Sequence, residues 1–290
     1  MKGNSSDETG LFRAVQKNAF DEVKKLYSRR GGKIKILGIS GSARSEFDYA
    51  QEKSNSETLL EQCLKNCKKF GAEVEQINLR DYNIKPCKAC YSTVNTQCHY
   101  PCTCYKKGTS EEDDMSKILY DKLIAADAII FATPVNNFKI SSYMSLFVDR
   151  CISMDGSLSP ADSKNPKDKA LNIRHMKFIE KNATEKLGSG FVRRFTGKVA
   201  GIIATGHEEG AAMAMSQMFM TLNTWGMLFP PHSCVYAMSS ICEPTYKDKE
   251  LIINKGCFTE EIMHLAINIT ESTKLAKDKK STWAYSHSKN

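Results

Sequence analysis

Apolar positions along the chain fall into short continuous runs, separated by longer stretches in which they recur every three or four residues. Ile34, Ile36, Leu37 and Ile39 make a β-branched run of the kind found in a parallel strand buried on both faces. Val74, Ile77 and Leu79 mark a second strand, 128–133 a very apolar third, 198–205 a fourth and 233–237 a short fifth. The stretches between them read as helices. Ser54 and Glu57 have capping-box spacing, and Leu59, Leu60, Cys63, Leu64 and Cys67 then line one helical face, which Gly71 ends. Met115, Ile118, Leu119, Leu123 and Ile124 do the same over 113–125. Helices are also expected over 141–154, 211–225 and 259–272. This alternation predicts a doubly wound α/β fold, a five-stranded parallel sheet with helices on both faces. Ligands of such sheets bind beyond the carboxyl ends of the strands, which directs attention to the loops 40–56, 133–138 and 205–210.

Three segments stand outside the pattern. Leu11, Phe12, Val15, Phe20, Val23 and Leu26 predict a helix over 11–30, and Arg29-Arg30-Gly31-Gly32 closes an N-terminal arm, 1–32. The domain proper, 33–272, carries a cysteine-rich loop, 86–104, and an insertion, 155–196, with a polar loop before a basic helical stretch; a polar tail, 273–290, follows. Composition changes this picture little, since 41% hydrophobic and 26% charged residues are ordinary for a soluble domain. The net charge of +8 comes largely from 164–198 and the tail. Neither stretch interleaves aromatics with its cations, so a solvated face or anionic cofactors account for it, and no nucleic-acid partner is expected. No apolar run reaches the roughly 18 residues of a membrane span. Met1–Gly10 lacks the apolar core of a signal peptide, and a cytoplasmic location is the expectation.

The first loop reads Ser40-Gly41-Ser42-Ala43-Arg44 and, later, Ser54-Asn55-Ser56. It runs from a strand to a helix N-terminus, where small hydroxyls and backbone N–H groups suit a phosphate and Arg44 adds a charge. It lacks both the glycine–lysine–serine P-loop signature and the dinucleotide glycine fingerprint. In the second loop Pro134 turns the chain at the sheet edge, Asn136 and Asn137 offer hydrogen bonds to a polar ring, and Phe138 offers a surface to stack on or to pack at a helix start.

The cysteine-rich loop contains Cys87, Cys90, Cys98, Cys102 and Cys104 among the chain's 11 cysteines. Four such thiolates can hold a [4Fe–4S] cluster, the same spacing can hold zinc or form reversible disulfides, and free thiols are the remaining reading. Cys63 and Cys67, on an apolar helix face, are expected in the core; Cys151, Cys234, Cys242 and Cys257 show no ligand spacing.

Segments 36–44, 54–60, 129–138 and 147–150 make the chain similar to the NADPH-dependent FMN reductase family, and within it to the iron–sulfur flavoprotein branch. The most specific pieces are Gly41-Ser42-Ala43-Arg44 and Thr133-Pro134-Val135-Asn136. The resemblance implies a flavodoxin-like fold and a homodimer or homotetramer. It implies that Ser40, Ser42, Arg44, Ser54, Asn55 and Ser56 take the FMN phosphate. Thr133, Pro134, Val135, Asn136, Asn137 and Phe138 would lie along the isoalloxazine ring, and Thr205, Gly206 and His207 would edge it. His207 can meet the flavin or a nicotinamide, or be solvated. Asp113-Asp114 fits a helix-opening acidic pair, and Asp149 and Arg150 fit structural charges. The sequence departs from the family in the insertion 45–53 and in the cysteines, where Tyr91-Ser92-Thr93 replaces the third close cysteine of the branch. The function so implied is an FMN oxidoreductase, with NAD(P)H as donor and a small-molecule or protein acceptor, electrons passing through a [4Fe–4S] cluster if one is present. The rivals are a non-catalytic FMN and iron–sulfur electron carrier and a zinc-stabilised binding module.

Overall fold

The computed structural model describes residues 5–28, 31–182, 191–206, 210–238 and 244–278. In chain order the elements are α1 (Ser5–Ser28), β1 (Lys35–Ser40), α2 (Asn55–Lys69), β2 (Glu73–Asn78), α3 (Tyr120–Ala125), β3 (Ala128–Asn136), β4 (Lys139–Ile140) and α4 (Ser142–Cys151). They continue with β5 (Asp155–Ser157), α5 (Lys169–Asn182), β6 (Val192–Arg193), β7 (Val199–Gly206), α6 (Ala211–Thr224), β8 (Cys234–Met238), α7 (Thr245–Asn254) and α8 (Thr259–Asp278).

The main sheet has the order β2-β1-β3-β7-β8, all parallel, with β4 paired antiparallel to the end of β3. Counting the five parallel strands alone, this is the 2-1-3-4-5 order of flavodoxin-like sheets, whose switch point lies between the first and third strands. The expected doubly wound, flavodoxin-like fold is therefore what the chain adopts.

The apolar runs divide their side chains between two cores with period two. Leu37, Ile39, Ile129 and Phe131 face Met115, Leu119, Met144, Phe147 and Met218, whereas Ile36, Ile130 and Ala132 face Leu59, Leu60, Cys63, Leu265 and Ile269. Helices α3, α4 and α6 thus cover one face, and α2 and α8 the other. Cys63 and Cys67 are fully buried there, in line with their core reading. Of the methionines in α6, Met218 is buried, while Met213 and Met220 are exposed.

Three elements differ from the sequence reading. The helix expected over 113–125 opens with a π turn, Met115–Leu119, before α3. The wider turn shifts the buried face by a residue, so that Tyr120 is buried and Ile118 only half-buried. The loop expected over 133–138 is instead part of a hairpin between β3 and β4, with Val135 opposite Ile140 and Asn136 opposite Lys139. Helix α7 was not foreseen, because its exposed Tyr246, Lys247 and Glu250 leave it no continuous apolar stripe.

The N-terminal arm, the insertion and the cysteine loop pack on one another. Phe12 of α1 stacks on His175 of α5 at 4.6 Å, Arg194 pairs with Glu22 at 2.6 Å, and Val15, Ala19, Leu158, Ile179 and Val192 form a third small core. Burial pushes the His175 imidazole down to about 4, which keeps it neutral in this apolar contact. On the cysteine loop, Thr96 Oγ1 donates to the Asn172 carbonyl at 2.6 Å and Tyr100 N to Leu158 O at 3.0 Å. Among the described residues no helix is long and apolar enough to cross a membrane.

Candidate functional site

The carboxyl ends of β1, β3 and β7 bring three loops to one edge of the sheet, since Ser40 lies opposite Ala132 and Pro134 opposite Thr205. The first loop is fastened to β3 and to the start of α4. Gly41 N donates to Ala132 O at 2.8 Å, and Ser141 Oγ donates to Gly41 O at 2.6 Å while accepting from Met144 N at the cap of α4. Thr133, wholly buried, accepts from Ser141 N at 3.1 Å through its hydroxyl. A Cβ on Gly41 would stand 2.8 Å from Met144 Cβ and 2.9 Å from Ser141 Oγ, so only glycine allows this approach.

Beyond Gly41 the loop is a hydroxyl cradle. Ser40, Ser42 and Ser56 are fully buried and Ser54 nearly so. Ser42 N lies 3.4 Å from Ser40 Oγ, Arg44 N donates to Ser42 Oγ at 3.1 Å, and the Ser54 and Ser56 hydroxyls are 3.1 Å apart. Ser54 caps α2 by accepting from Glu57 N at 3.2 Å. The Glu57 carboxylate does not close the capping box; it pairs bidentately with Arg80 at 2.6 and 3.1 Å, anchoring the helix start to the end of β2. The first N–H groups of α2 are thereby aimed along the helix axis beside these hydroxyls, an arrangement suited to a phosphate.

The charges around this cradle come from two segments. Arg44 pairs with Glu52, a residue of the inserted loop. Lys249 of α7 lies 3.6 Å from Glu52 and donates to Lys53 O at 2.8 Å, and Asn55 Nδ2 lies 3.5 Å from Asp248 Oδ2. Lys249 and Ser141 escaped the sequence reading. Lys249 lies on a helix with no apolar period, and Ser141 looks like an ordinary cap.

The second and third loops touch. At the β3–β4 turn Asn137 and Phe138 have φ of +50° and +62°, and Phe138 is 55% exposed. A Cβ on Gly206 would be 2.8 Å from Val135 Cβ, and one on Gly210 would be 2.4 Å from Phe138 Cα. Val135 is buried, Asn136 is exposed beside Phe138, and Thr205 is buried at the end of β7. His207 lies outside the described residues. The structure thus brings Ser40, Ser42, Arg44, Ser54, Asn55 and Ser56 to the first loop's cradle, and Thr133–Phe138 to its neighbour with Thr205 and Gly206. A donor set of buried hydroxyls, a helix N-terminus and a guanidinium fits the phosphate of FMN. Substituting Arg44 by alanine is expected to raise the FMN dissociation constant about 10- to 100-fold, the size of a lost charge-assisted hydrogen bond. Quenching of FMN fluorescence on titration would measure it, and an unchanged constant would remove Arg44 from the phosphate site.

The five cysteines of 86–104 also lie near one another, and four of them follow one another in a chain, Cys98–Cys90–Cys104–Cys102. Cys104 Sγ is 3.8 Å from Cys90 Sγ, and Lys167 Nζ, from the insertion, is 3.3 Å from Cys90 Sγ. The Cys104 hydrogen bond lowers the Cys90 thiol, but the Cys98 hydrogen bond and burial raise it further. The Cys102 thiol is pushed up by its hydrogen bond to Cys104 and by burial, and burial likewise raises Cys87. His99, its Nδ1 2.8 Å from Thr103 Oγ1, is held down to about 4 by burial and by the Lys167 charge. Among the described residues no three cysteine, histidine or carboxylate side chains converge as a metal-ligand set. As they stand, these thiols do not fit the four-thiolate cage of a [4Fe–4S] cluster.

Comparison with known proteins covers the part of the chain that carries the first two loops. Residues 34–170 match the family model described as NADPH-dependent FMN reductase. An iron–sulfur flavoprotein of Archaeoglobus fulgidus is 34% identical over 117 residues, covering 40% of this chain and 48% of that protein. One of Methanosarcina thermophila is 31% identical over 119 residues, covering 41% and 53%. The chain spans about half the length of the curated relatives it matches. Among solved structures, RosB with a bound riboflavin 5'-phosphate derivative superposes with a TM-score of 0.61 at 18% identity, over 86% of this chain and 82% of that one. A flavone reductase gives 0.51 at 19%, over 89% and 70%, so both support the fold. The chain is thus similar to the NADPH-dependent FMN reductase family over residues 34–170, and to iron–sulfur flavoproteins over about 40% of its length.

Proposed function

We propose that the chain binds FMN at the β1/β3 switch point and acts as an oxidoreductase with NAD(P)H as its electron donor. The observation that carries this is the buried hydroxyl cradle, Ser40, Ser42, Ser54 and Ser56, set at the start of α2 beside the hairpin 135–140. Bound FMN would supply the hydride and electron chemistry, as cofactors of this type do. The serines, the α2 N-terminus and Arg44 would hold the phosphate, with Arg44 exchanging Glu52 for it. The backbone N–H groups of Asn136 and Gly206 would serve the polar edge of the ring, and exposed Phe138 would offer an apolar face beside it. No side chain of the described site is placed as a nucleophile, so the residues' work is to orient the cofactor and exclude water. The acceptor is a small molecule or a protein, and the exposed Met213, Phe219 and Met220 of α6 suit association with a second copy.

The test is the visible spectrum of the protein purified without oxygen, before and after NADPH. Flavin bands that bleach on addition of NADPH are the expected result. Flavin bands that persist would leave an FMN-binding protein without nicotinamide activity. A protein that stays colourless after FMN is added would overturn the reading.

A further inference from the structure

The geometry points to a redox-active disulfide between Cys90 and Cys104, formed in place of a metal cluster and governed by Lys167. The two sulfurs are already in contact at 3.8 Å, and a bond requires closure to about 2.05 Å. Each lies in a short turn, Cys90 in the single turn Cys90–Ser92 and Cys104 just before Tyr105, and each is half-buried and so within reach of a small oxidant. Cys63, Cys67 and Cys151 are fully buried and Cys98 is 7% exposed; Cys234 is exposed and Cys257 half-buried, but both lie outside the cysteine loop.

Lys167 makes this pair more than a chance approach. It comes from the insertion, and its ammonium is held by the Gln97 carbonyl at 2.8 Å while it donates to Cys90 Sγ at 3.3 Å. The Gln97 side chain returns a bond to the Lys167 carbonyl at 3.0 Å, so the lysine is fixed at both ends. The ammonium fixed at the Cys90 sulfur favours the negative charge that develops there as the thiol is deprotonated for attack, against the Cys98 contact and burial that hold it above its ordinary value, whereas a cluster ligand would have to turn that sulfur toward iron. Thr93 occupies the position at which a third close thiolate would be needed.

The step balances with a low-molecular-weight disulfide as oxidant. The Cys90 thiol gives up its proton as its sulfur attacks one sulfur of that disulfide; the S–S bond breaks, and the departing small thiolate takes up that proton. Cys104, giving up its proton, then attacks the Cys90 sulfur of the mixed disulfide and expels the second small thiol. Two protein thiols lose two electrons and two protons, and the small disulfide gains them. In the oxidised protein neither the Cys90 nor the Cys104 sulfur, both of which Lys167 faces, can carry a negative charge, while the Gln97 bonds remain, so the redox state of the pair bears on how the insertion sits on the cysteine loop.

The experiment equilibrates the full chain, with whatever FMN it carries, in anaerobic mixtures of reduced and oxidised glutathione. Free thiols are then capped, disulfides reduced, and the released thiols given a second label for peptide mapping. Cys90 and Cys104 are expected to acquire the second label together, with one midpoint, and a linked peptide should join their segments. In Cys104→Ser, Cys90 should stop at the glutathione mixed disulfide; in Lys167→Met, bond formation should slow about tenfold. The inference is overturned if both residues keep the first label at the most oxidising ratio, or if Cys90 is found joined to Cys98, or Cys104 to Cys102. It is equally overturned if protein purified without oxygen carries iron and acid-labile sulfide that are lost in Cys90→Ser. These readouts follow sulfur and iron rather than flavin, so their failure is distinct from failure of the FMN reading.

Discussion

Gly210→Ala is expected to raise the FMN dissociation constant by at least about 100-fold and to lower stability by about 2–4 kcal/mol, the range for forced overpacking. Gly210 sits in the right-handed helical region, φ −63° and ψ −8°, so alanine meets no conformational objection there. The cost is steric. The new methyl carbon would lie 2.4 Å from Phe138 Cα and 3.0 Å from Phe138 Cβ, and a backbone atom cannot swing aside as a side-chain tip can. The hairpin must therefore move as a body. Phe138 already holds φ +62° next to Asn137 at +50°, a two-residue turn of the type that favours hairpins but disfavours a bulky second residue. That strain is kept in place by the pairing of Val135 with Ile140 and by the close seat of Val135 against Gly206. Displacing Phe138 loosens all of it at the point where the ring would lie. The control is Phe138→Gly, which leaves the turn and removes the strain. It is expected to keep FMN binding within about tenfold and to be neutral or more stable by up to about 1 kcal/mol. Thermal unfolding and FMN titration of both variants check the pair, and wild-type affinity in Gly210→Ala would dismiss the hairpin as a support of the site.

The contrast between Gly210 and Ser54 marks how far the sequence alone reaches. Ser54, Glu57 and the apolar run that follows are local, and local spacing suffices to place a helix start beside a strand end. The strands are equally legible, because central parallel strands must be apolar on both faces. The β3–β4 hairpin was hidden because Asn137-Phe138 is a poor match for the Asn-Gly signal that such turns usually carry. The role of Gly210 depends on Phe138, 72 positions earlier in the chain as numbered, and no periodicity reports a contact of that range. The same holds for Lys167, which reads as one more cation in a polar insertion until folding sets it against Cys90. Cysteine spacing shows that the sulfurs are near in sequence; which of them meet is decided by the packing of the loop on α5 and β5.

Asp113→Asn is expected to destabilise the protein by about 3–5 kcal/mol, the cost of leaving a buried charge without its partner. The Asp113 and Arg150 side chains are 0% and 1% exposed and form an ion pair, and Arg150 Nη1 also donates to Lys85 O at 2.8 Å. The Asp113 carboxylate accepts from Lys85 N and from Ser116 N, each at 3.1 Å, so it caps the turn leading to α3 and holds the entry to the cysteine loop at once. In Asp113→Asn the guanidinium keeps its charge, the Lys85 carbonyl and the face of Tyr105 at 4.6 Å, but no counter-ion. Adding Arg150→Met should recover part of the loss, because removing both charges is cheaper than stranding one. The pH dependence separates this account from a simple packing defect. Burial would raise the Asp113 carboxyl, but the Arg150 guanidinium and the two backbone donors overcome it and hold the group below its ordinary value. A carboxyl depressed in the folded state contributes fully above its unfolded pKa of about 3.9 and loses its contribution as pH falls through the folded value. The stability gap between wild type and Asp113→Asn should therefore be flat from pH 7 to about 5 and narrow below about 4, as read by denaturant unfolding at each pH. A gap that stays constant into acid would show that the carboxylate charge is not what holds Arg150, and that the clamp between α4 and the cysteine loop is steric.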